Sequence, residues 1–255
     1  MSKLKLLITL GCSYTEGVGC WVDETPLDLN HIPIDNQEWY HWYKLSLDKF
    51  HEFGYPNHLG KLLGYDKVIN LGYGGSSPSG NTKHLFNLYK NTSFENDSVT
   101  LFWWVPSPQR ISFYVDKKIR NISNGDSLWD EYVKLIENHD DTLFEQLFYI
   151  DIVEMFCKSK GIDLIFFAEE ANLYSNIASK ETWLGLLQED VLGLLQKDDT
   201  SQICTHPNEK GYEKISIAIS NAIKDKFPHL TYSPKDTIEW EYKGTPERLN
   251  LNNMI

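Results

Sequence analysis

The stretch "LKLLITLGCSYTEG", residues 4–17, determines how the rest of the chain is interpreted. It begins with a nearly continuous apolar run, Leu4–Leu10, which is typical of a strand buried on both faces of a parallel sheet. The run stops at Gly11, and Ser13 follows before the next glycine, Gly17. A strand that ends in small polar side chains between glycines is either a plain turn or the support of a nucleophile.

Three more apolar runs of the same kind predict further buried parallel strands. They are Lys67–Leu71, Ser98–Trp104 and Ile162–Ala168. Segments with helical spacing alternate with these runs, namely Asn57–Leu63, Thr82–Lys90, Thr142–Lys160 and Glu209–Asp225. This alternation predicts an α/β fold, a three-layer α/β/α sandwich around a mainly parallel, flavodoxin-like sheet with right-handed crossovers.

Two segments do not fit this repeat, and the end of the chain differs in composition. Residues 20–56 are rich in Trp and Tyr and too long for a simple loop, so they form either a lid over a site or a surface subdomain. Residues 111–123 alternate around a charged Asp-Lys-Lys turn and predict an inserted hairpin. We therefore expect one domain over 1–228 and a polar C-terminal extension over 229–255.

The composition argues against several function classes. The 255 residues suffice for one domain with a substantial core, and the net charge of −12 argues against nucleic acid or an anionic membrane surface as a partner. No apolar run reaches the roughly 18 residues of a membrane span, and no signal-peptide cleavage site follows the first run, so we expect a cytoplasmic location. The four cysteines form no CxxC pair, so we expect reduced thiols and no zinc site. We also expect no other metal and no cofactor.

Three clusters of small residues follow predicted strands, at the edge where open parallel sheets bind ligands. Ser13 follows the first strand, "NLGYGGSSPSGN" (70–81) the second and "PSPQR" (106–110) the third. Each cluster alone is an ordinary turn composition, but three at one edge indicate a site. The glycine-rich cluster lacks the lysine of a phosphate-binding loop, which argues against nucleotide binding.

A fourth segment, "THPNEKGYEKISIAI" (205–219), carries His206 in a loop that opens a helix. Pro207 restrains the backbone of His206. Asn208 can cap the helix, and Glu209 lies in its first turn, where an acid is favourable. We expect a rigid loop that holds the imidazole in a fixed place.

The blocks "GCSYTEG", "NLGYGGSS" and "THPNEKGY", in this order, resemble the first, second and last blocks of the SGNH (GDSL-like) hydrolases. The resemblance spans residues 4–220, and cysteine stands where the first block usually has aspartate. It implies the SGNH hydrolase fold and a serine esterase that works through an acyl-enzyme. The substrate would be a small-molecule or glycan ester, with O-acetyl groups on carbohydrate as one class.

The resemblance also implies a role for each matching residue. Ser13 would be the nucleophile, and His206 would be the general base. The backbone N–H groups of Ser13 and Gly75 would form an oxyanion hole, since Gly75 lies five residues after Asn70, the spacing of the family. Cys12 is an alternative nucleophile, although we expect its thiol to point into the core.

Two positions depart from the family pattern. The third block usually supplies an asparagine to the oxyanion hole, and in this chain Ser107 or Gln109 would have to substitute for it. The acid of the triad usually lies three residues before the histidine, at Ile203 in this chain. The nearest acids upstream are Asp198 and Asp199, of which Asp199 is our candidate; a main-chain carbonyl that orients the imidazole would instead leave a Ser-His dyad.

These departures leave a second function class open, a binding or structural protein on the same fold with a weakened catalytic set. In that hypothesis the aromatic insertion and the polar tail contact a glycan or a protein partner. The short variant blocks, with Trp-Trp at the third strand, also resemble SGNH-like proteins of bacteriophages. For a viral protein the expected location is the host cytoplasm or the virion.

Overall fold

A six-stranded, all-parallel sheet forms the centre of the computed structural model, which describes residues 3–20, 46–107, 111–115, 118–122, 139–169, 174–201 and 206–243. In chain order its strands are β1 (Lys5–Leu10), β2 (Lys67–Asn70), β3 (Ser98–Val105), β6 (Asp163–Ala168), β7 (Trp183–Leu187) and β8 (Glu239–Tyr242). A separate antiparallel hairpin consists of β4 (Ile111–Val115) and β5 (Lys118–Ile122).

The strand order is β7-β6-β3-β1-β2-β8, which is a flavodoxin-like arrangement with one additional edge strand. From β1 the chain moves to β2 on one side, and β3 then starts the other half of the sheet. The boundary between β1 and β3 is therefore the point at which the topology switches. Open α/β sheets bind ligands beyond the carboxyl ends of the strands at such a point, and Ser13 lies there, three residues after Leu10.

Helices cover both faces of the sheet. In chain order they are α1 (Ser13–Glu16), α2 (46–53), α3 (Tyr55–Leu63), α4 (Pro78–Asn91), α5 (His139–Lys160), α6 (Tyr174–Ile177), α7 (Gln188–Leu192) and α8 (Glu209–Lys226). Helices α3 and α8 pack on one face, and α4 and α5 pack on the other. No helix in the described part of the chain has both the length and the apolar character needed to cross a membrane.

Strand β3 shows why the apolar runs are continuous. Leu101 and Trp103 belong to the core under α4 and α5, whereas Phe102 and Trp104 belong to the core under α3 and α8. Successive side chains of a strand point to opposite faces, so a strand covered on both faces must be apolar at every position. All four side chains are fully buried.

Most of the predicted elements are confirmed, with boundary differences of a few residues. The four predicted strands are β1, β2, β3 and β6, the predicted hairpin over 111–123 is β4-β5, and the four predicted helices are α3, α4, α5 and α8. Strand β7 was not predicted. The segment 229–255, predicted as a polar extension, contributes β8, which pairs with β2 at the sheet edge. Most of the predicted insertion over 20–56 lies outside the described residues.

Candidate active site

Ser13 occupies the first position of the single-turn helix α1, directly after the end of β1. The chain leaves β1 at Leu10, and Cys12 is the last residue before the helix. Cys12 is fully buried, which confirms that it belongs to the core, whereas Ser13 is only partly buried. The serine, and not the neighbouring cysteine, therefore presents its side chain at the carboxyl edge of the sheet.

His206 lies in a loop that hydrogen bonds hold on both sides. Its backbone carbonyl accepts the N–H of Ser201 at 2.9 Å, and Thr200 and Pro207 form an isolated antiparallel bridge. The side chain of Asn208 accepts the N–H of Gly211 at 3.0 Å, which confirms the predicted cap of α8. Hydrogen bonds therefore hold the backbone of the described residues next to the imidazole.

The segment after α1 packs closely against this loop because residue 19 is glycine. Gly19 has a φ of 115°, and a Cβ at this position would collide with the backbone oxygen of Pro207. The hydroxyl of Tyr212, in α8, donates to the carbonyl of Val18 at 2.6 Å. These contacts bring the histidine loop onto the segment that carries the serine.

The result is a direct contact between two residues 193 positions apart. Nε2 of His206 lies 2.7 Å from Oγ of Ser13, which is hydrogen-bond distance. The ring of Tyr14 lies between two other rings, 4.9 Å from that of His206 and 5.0 Å from that of Trp104, with which it stacks at 12°. A serine hydroxyl in contact with an imidazole nitrogen is the arrangement that activates a serine nucleophile.

The structure does not bring the carboxylate of Asp199, our candidate acid, to this imidazole. Oδ2 of Asp199 accepts Nζ of Lys214 at 2.5 Å and the backbone N–H of Gln196 at 2.8 Å, and Oδ1 faces Lys210 at 3.5 Å. The side chain is fully buried, and the lysine, followed by the Gln196 N–H, lowers its pKa to about 2. The carboxylate of Asp199 therefore anchors α8, and in the described part of the chain it forms no hydrogen bond with His206.

The loop after β2 is tied to the segment around Ser13 by buried hydrogen bonds. The amide of Asn70 donates to the carbonyl of Thr15 at 2.8 Å, and its oxygen accepts the N–H of Gly72 at 2.8 Å. Farther along, the hydroxyl of Ser76 donates to the carbonyl of Gly11 at 2.6 Å. The position of the loop that carries Gly75 is therefore fixed relative to β1 and α1.

Two backbone N–H groups are open to an acceptor near this serine. Ser13 is the first residue of a helix, where N–H groups have no partner within the helix. Gly75 has a φ of 73°, the left-handed region that glycine adopts without strain. In the part of the chain that the structure describes, neither N–H donates to a protein acceptor. These are the two groups that the sequence resemblance implies as oxyanion donors, and their role stays a prediction.

The backbone of the segment after β3 forms hydrogen bonds of its own. The backbone N–H of Ser107 donates to a carboxylate oxygen of Glu169 at 2.8 Å, and the carbonyl of Pro106 accepts the amide of Gln146. Any oxyanion donor at Ser107 would therefore be its hydroxyl. Gln109, the other candidate, lies outside the described residues.

Sequence reasoning did not identify two residues at this site, Glu16 and Tyr14. Glu16 is 1% exposed and belongs to the same helical turn as Ser13. A signal was available in the quoted block, since an acid three residues after the serine shares one turn of helix with it.

Within the described residues, no group of three or more His, Cys, Asp or Glu side chains could hold a metal ion.

No protein-family model matches the chain, and no curated protein matches it. The interpretation of the site therefore depends on its own geometry and on the chemistry of its side chains.

Proposed function

We propose that this protein is a serine ester hydrolase of the SGNH type that cleaves a carboxylic ester through an acyl-enzyme on Ser13. One observation carries the proposal, the 2.7 Å contact between His206 Nε2 and Ser13 Oγ. The contact joins the first and last of the three sequence blocks that resemble the family. A pair of residues so far apart in sequence has no local reason to meet, and this pairing is the one that nucleophilic catalysis requires.

The chemistry follows from the positions of the two side chains. With Nε2 unprotonated, Oγ–H donates to it, and Oγ attacks the ester carbonyl carbon as the proton moves to the imidazole. The carbonyl π electrons move onto its oxygen, and the tetrahedral intermediate expels the alcohol, which takes the proton from Nε2. Water then attacks the acyl group with the same histidine as base, which releases the acid and restores the serine.

The oxyanion that forms in both steps needs positioned donors. The open N–H groups of Ser13 and Gly75 supply two of them in this proposal. Backbone donors of this kind are fixed before the reaction, and the loss of one typically lowers the rate by about 10² to 10³. Support also comes from the sheet order, since the serine follows the strand at the topological switch point.

The test compares wild type with Ser13→Ala in hydrolysis of p-nitrophenyl acetate and in labelling by a fluorophosphonate. Ser159→Ala, an exposed serine on α5, is the matched control. We expect activity and labelling in wild type and in the control, and neither in Ser13→Ala at unchanged circular dichroism. Equal activity in Ser13→Ala, or absence of both signals in wild type, would reject the proposal and favour a binding role on the same fold.

The substrate class is tested separately. An O-acetylated polysaccharide is the substrate that we propose, and release of acetate from it is measured with the same set of variants. Hydrolysis of the nitrophenyl ester without release of acetate would support the esterase chemistry and reject the carbohydrate ester.

A further inference from the structure

Glu16 is a buried carboxylate that contacts two separate parts of the fold. Its Oε2 accepts the backbone N–H of Gly74 at 2.6 Å, and its Oε1 accepts the hydroxyl of Tyr242 at 3.2 Å. The residue is 1% exposed, and a buried charge is unfavourable unless hydrogen bonds of this kind compensate it. The Glu16 carboxylate is therefore held in one position, where it restrains the Gly74 peptide and the Tyr242 side chain.

One of its contacts lies next to the proposed oxyanion donor. Gly74 directly precedes Gly75, and on the other side Ser76 is held to the carbonyl of Gly11. Asn81 strengthens this second attachment, because its amide donates to both Ser76 Oγ and the Gly11 carbonyl. The Gly75 peptide is thus fixed at both ends, by Glu16 before it and by Gly11 after it.

Glu16 also shares one turn of helix with the proposed nucleophile. Ser13 and Glu16 are the first and last residues of α1, so their separation is set by the helix itself. A carboxylate on this turn that binds Gly74 therefore fixes the distance between Ser13 and the Gly75 N–H. From this arrangement we infer that Glu16 is a positioning residue, which holds the 74–75 peptide so that Gly75 N–H faces the oxyanion.

The second contact extends this support to the C-terminal strand. Tyr242 lies opposite Asn70 in the pairing of β8 with β2, and its ring stacks on His51 at 3.6 Å between ring centroids. Its hydroxyl donates to Oε1 of Glu16, the carboxylate oxygen that does not accept from Gly74. Strand β8 therefore forms the edge of the sheet next to β2 and, through Tyr242, also helps to hold Glu16 in place.

This inference rests on the proposed function, and its test separates the two. Wild-type labelling of Ser13 by a fluorophosphonate tests the function alone. Steady-state kinetics of Glu16→Leu, Glu16→Gln and Tyr242→Phe then test the positioning role. Asp66→Asn is the matched control, because Asp66 accepts the Lys5 N–H at 2.8 Å at the opposite end of β1.

The expected changes differ among the variants. Glu16→Leu removes the acceptor of Gly74, and we expect kcat to fall about 10²-fold with KM changed less than about 3-fold, since oxyanion donors act in the transition state. Glu16→Gln can still accept from Gly74 through its oxygen while its NH₂ group donates to the Tyr242 oxygen, so kcat should remain within about 10-fold of wild type. Tyr242→Phe loses one hydrogen bond, for which we expect a fall of roughly 2- to 5-fold.

A readout independent of activity completes the test. Amide exchange of Gly74, whose N–H donates to Glu16, is followed by NMR and should speed up about 10-fold in Glu16→Leu and stay unchanged in Asp66→Asn. If Glu16→Leu does not fold, Tyr242→Phe and Glu16→Gln carry the same comparison. Unchanged kcat and unchanged amide exchange in the Glu16 variants would overturn the inference, as would an equal loss of kcat in Asp66→Asn. If the Glu16 variants exchange fast but the fluorophosphonate does not label the wild-type protein, only the esterase function is rejected.

Discussion

Nζ of Lys214 lies 2.5 Å from Oδ2 of Asp199, and this pair joins the turn before the histidine loop to helix α8. The carboxylate of Asp199 is thus engaged by α8 and not by the imidazole of His206. We predict that Asp199→Asn lowers kcat less than about 5-fold, whereas loss of a triad acid costs about 10⁴. The measurement is kcat for p-nitrophenyl acetate, and a fall beyond 10³ would restore Asp199 as the acid.

The same pair predicts a stability change with a definite pH dependence. Lys214, and next the Gln196 N–H, hold the pKa of Asp199 at about 2, below its ordinary value of 3.8. The folded state therefore releases this proton more readily than the unfolded state, and the stabilisation is present above pH 4 and lost as the pH falls toward 2. Wild type should unfold at higher urea than Asp199→Asn at pH 6, and the difference should shrink from pH 4 downward. Lys214→Met should reproduce the Asn variant; a difference that grows on acidification would contradict the assignment.

The backbone at Gly75 allows a sharper test of the oxyanion hole. With a φ of 73°, alanine at this position is strained by roughly 1–2 kcal/mol, and relief of the strain would turn the N–H away. We predict that Gly75→Ala loses this stability and also lowers kcat about 10²-fold. Gly161 is the matched control, because its φ is 66° and a Cβ there would meet nothing within 4 Å. Gly161→Ala should lose similar stability and keep its kcat, and equal kcat in both variants would remove Gly75 from the mechanism.

The central strands were predictable because a strand buried on both faces is a continuous apolar run in the sequence. Strand β8, "EWEY", is not a continuous apolar run, since it lies at the sheet edge and is partly exposed. Its place depends on pairing with β2, which is 172 residues away where Glu239 meets Lys67. Strand β7 has a glycine in its middle, Gly185, and an irregular register with β6. A single local pattern therefore does not identify either strand.

The candidate site was predictable in its residues that carry chemistry and not in those that support them. Ser13 and His206 stand in recognisable blocks, and the proline and asparagine after the histidine indicate its rigid loop. The partner of Asp199 could not be predicted from sequence spacing, because two lysines and one backbone N–H compete for its two oxygens in the folded protein. Which donor wins depends on the tertiary arrangement of α8.

Tyr14 gives a prediction about the histidine itself. Its ring lies 4.9 Å from that of His206 and rests on Trp104, so it limits the orientations of the imidazole. An aromatic face also stabilises the imidazolium that forms as the serine attacks. We predict that Tyr14→Leu lowers kcat roughly 10-fold, whereas Tyr14→Phe keeps the ring and stays within about 2-fold. Stopped-flow measurement of acylation with p-nitrophenyl acetate checks both, and equal rates in the Leu and Phe variants would assign the ring to packing alone.

The last prediction concerns stability at mildly acidic pH, and it follows from the buried side chain of His84. This residue of α4 packs edge-on against Tyr73 at 4.7 Å between ring centroids, and its Nε2 has no hydrogen-bond partner among the described residues. Burial lowers its pKa from 6.5 to about 4. The unfolded chain thus takes up a proton between pH 6.5 and 4 that the folded protein does not, so the free energy of unfolding falls as the pH decreases through this range.

The size of this effect is on the order of 3 kcal/mol by pH 4, since each unit of pKa shift corresponds to about 1.4 kcal/mol. Urea unfolding at pH 7.5 and pH 5 measures it. His84→Leu should lose less stability between these two pH values than wild type does. The remaining loss includes His51 and His58, whose pKa values burial also lowers. His229→Leu, at an exposed position, should behave as wild type. If His84→Leu and wild type lose the same free energy, protonation of His84 does not oppose folding, and the acid sensitivity of the domain has another origin.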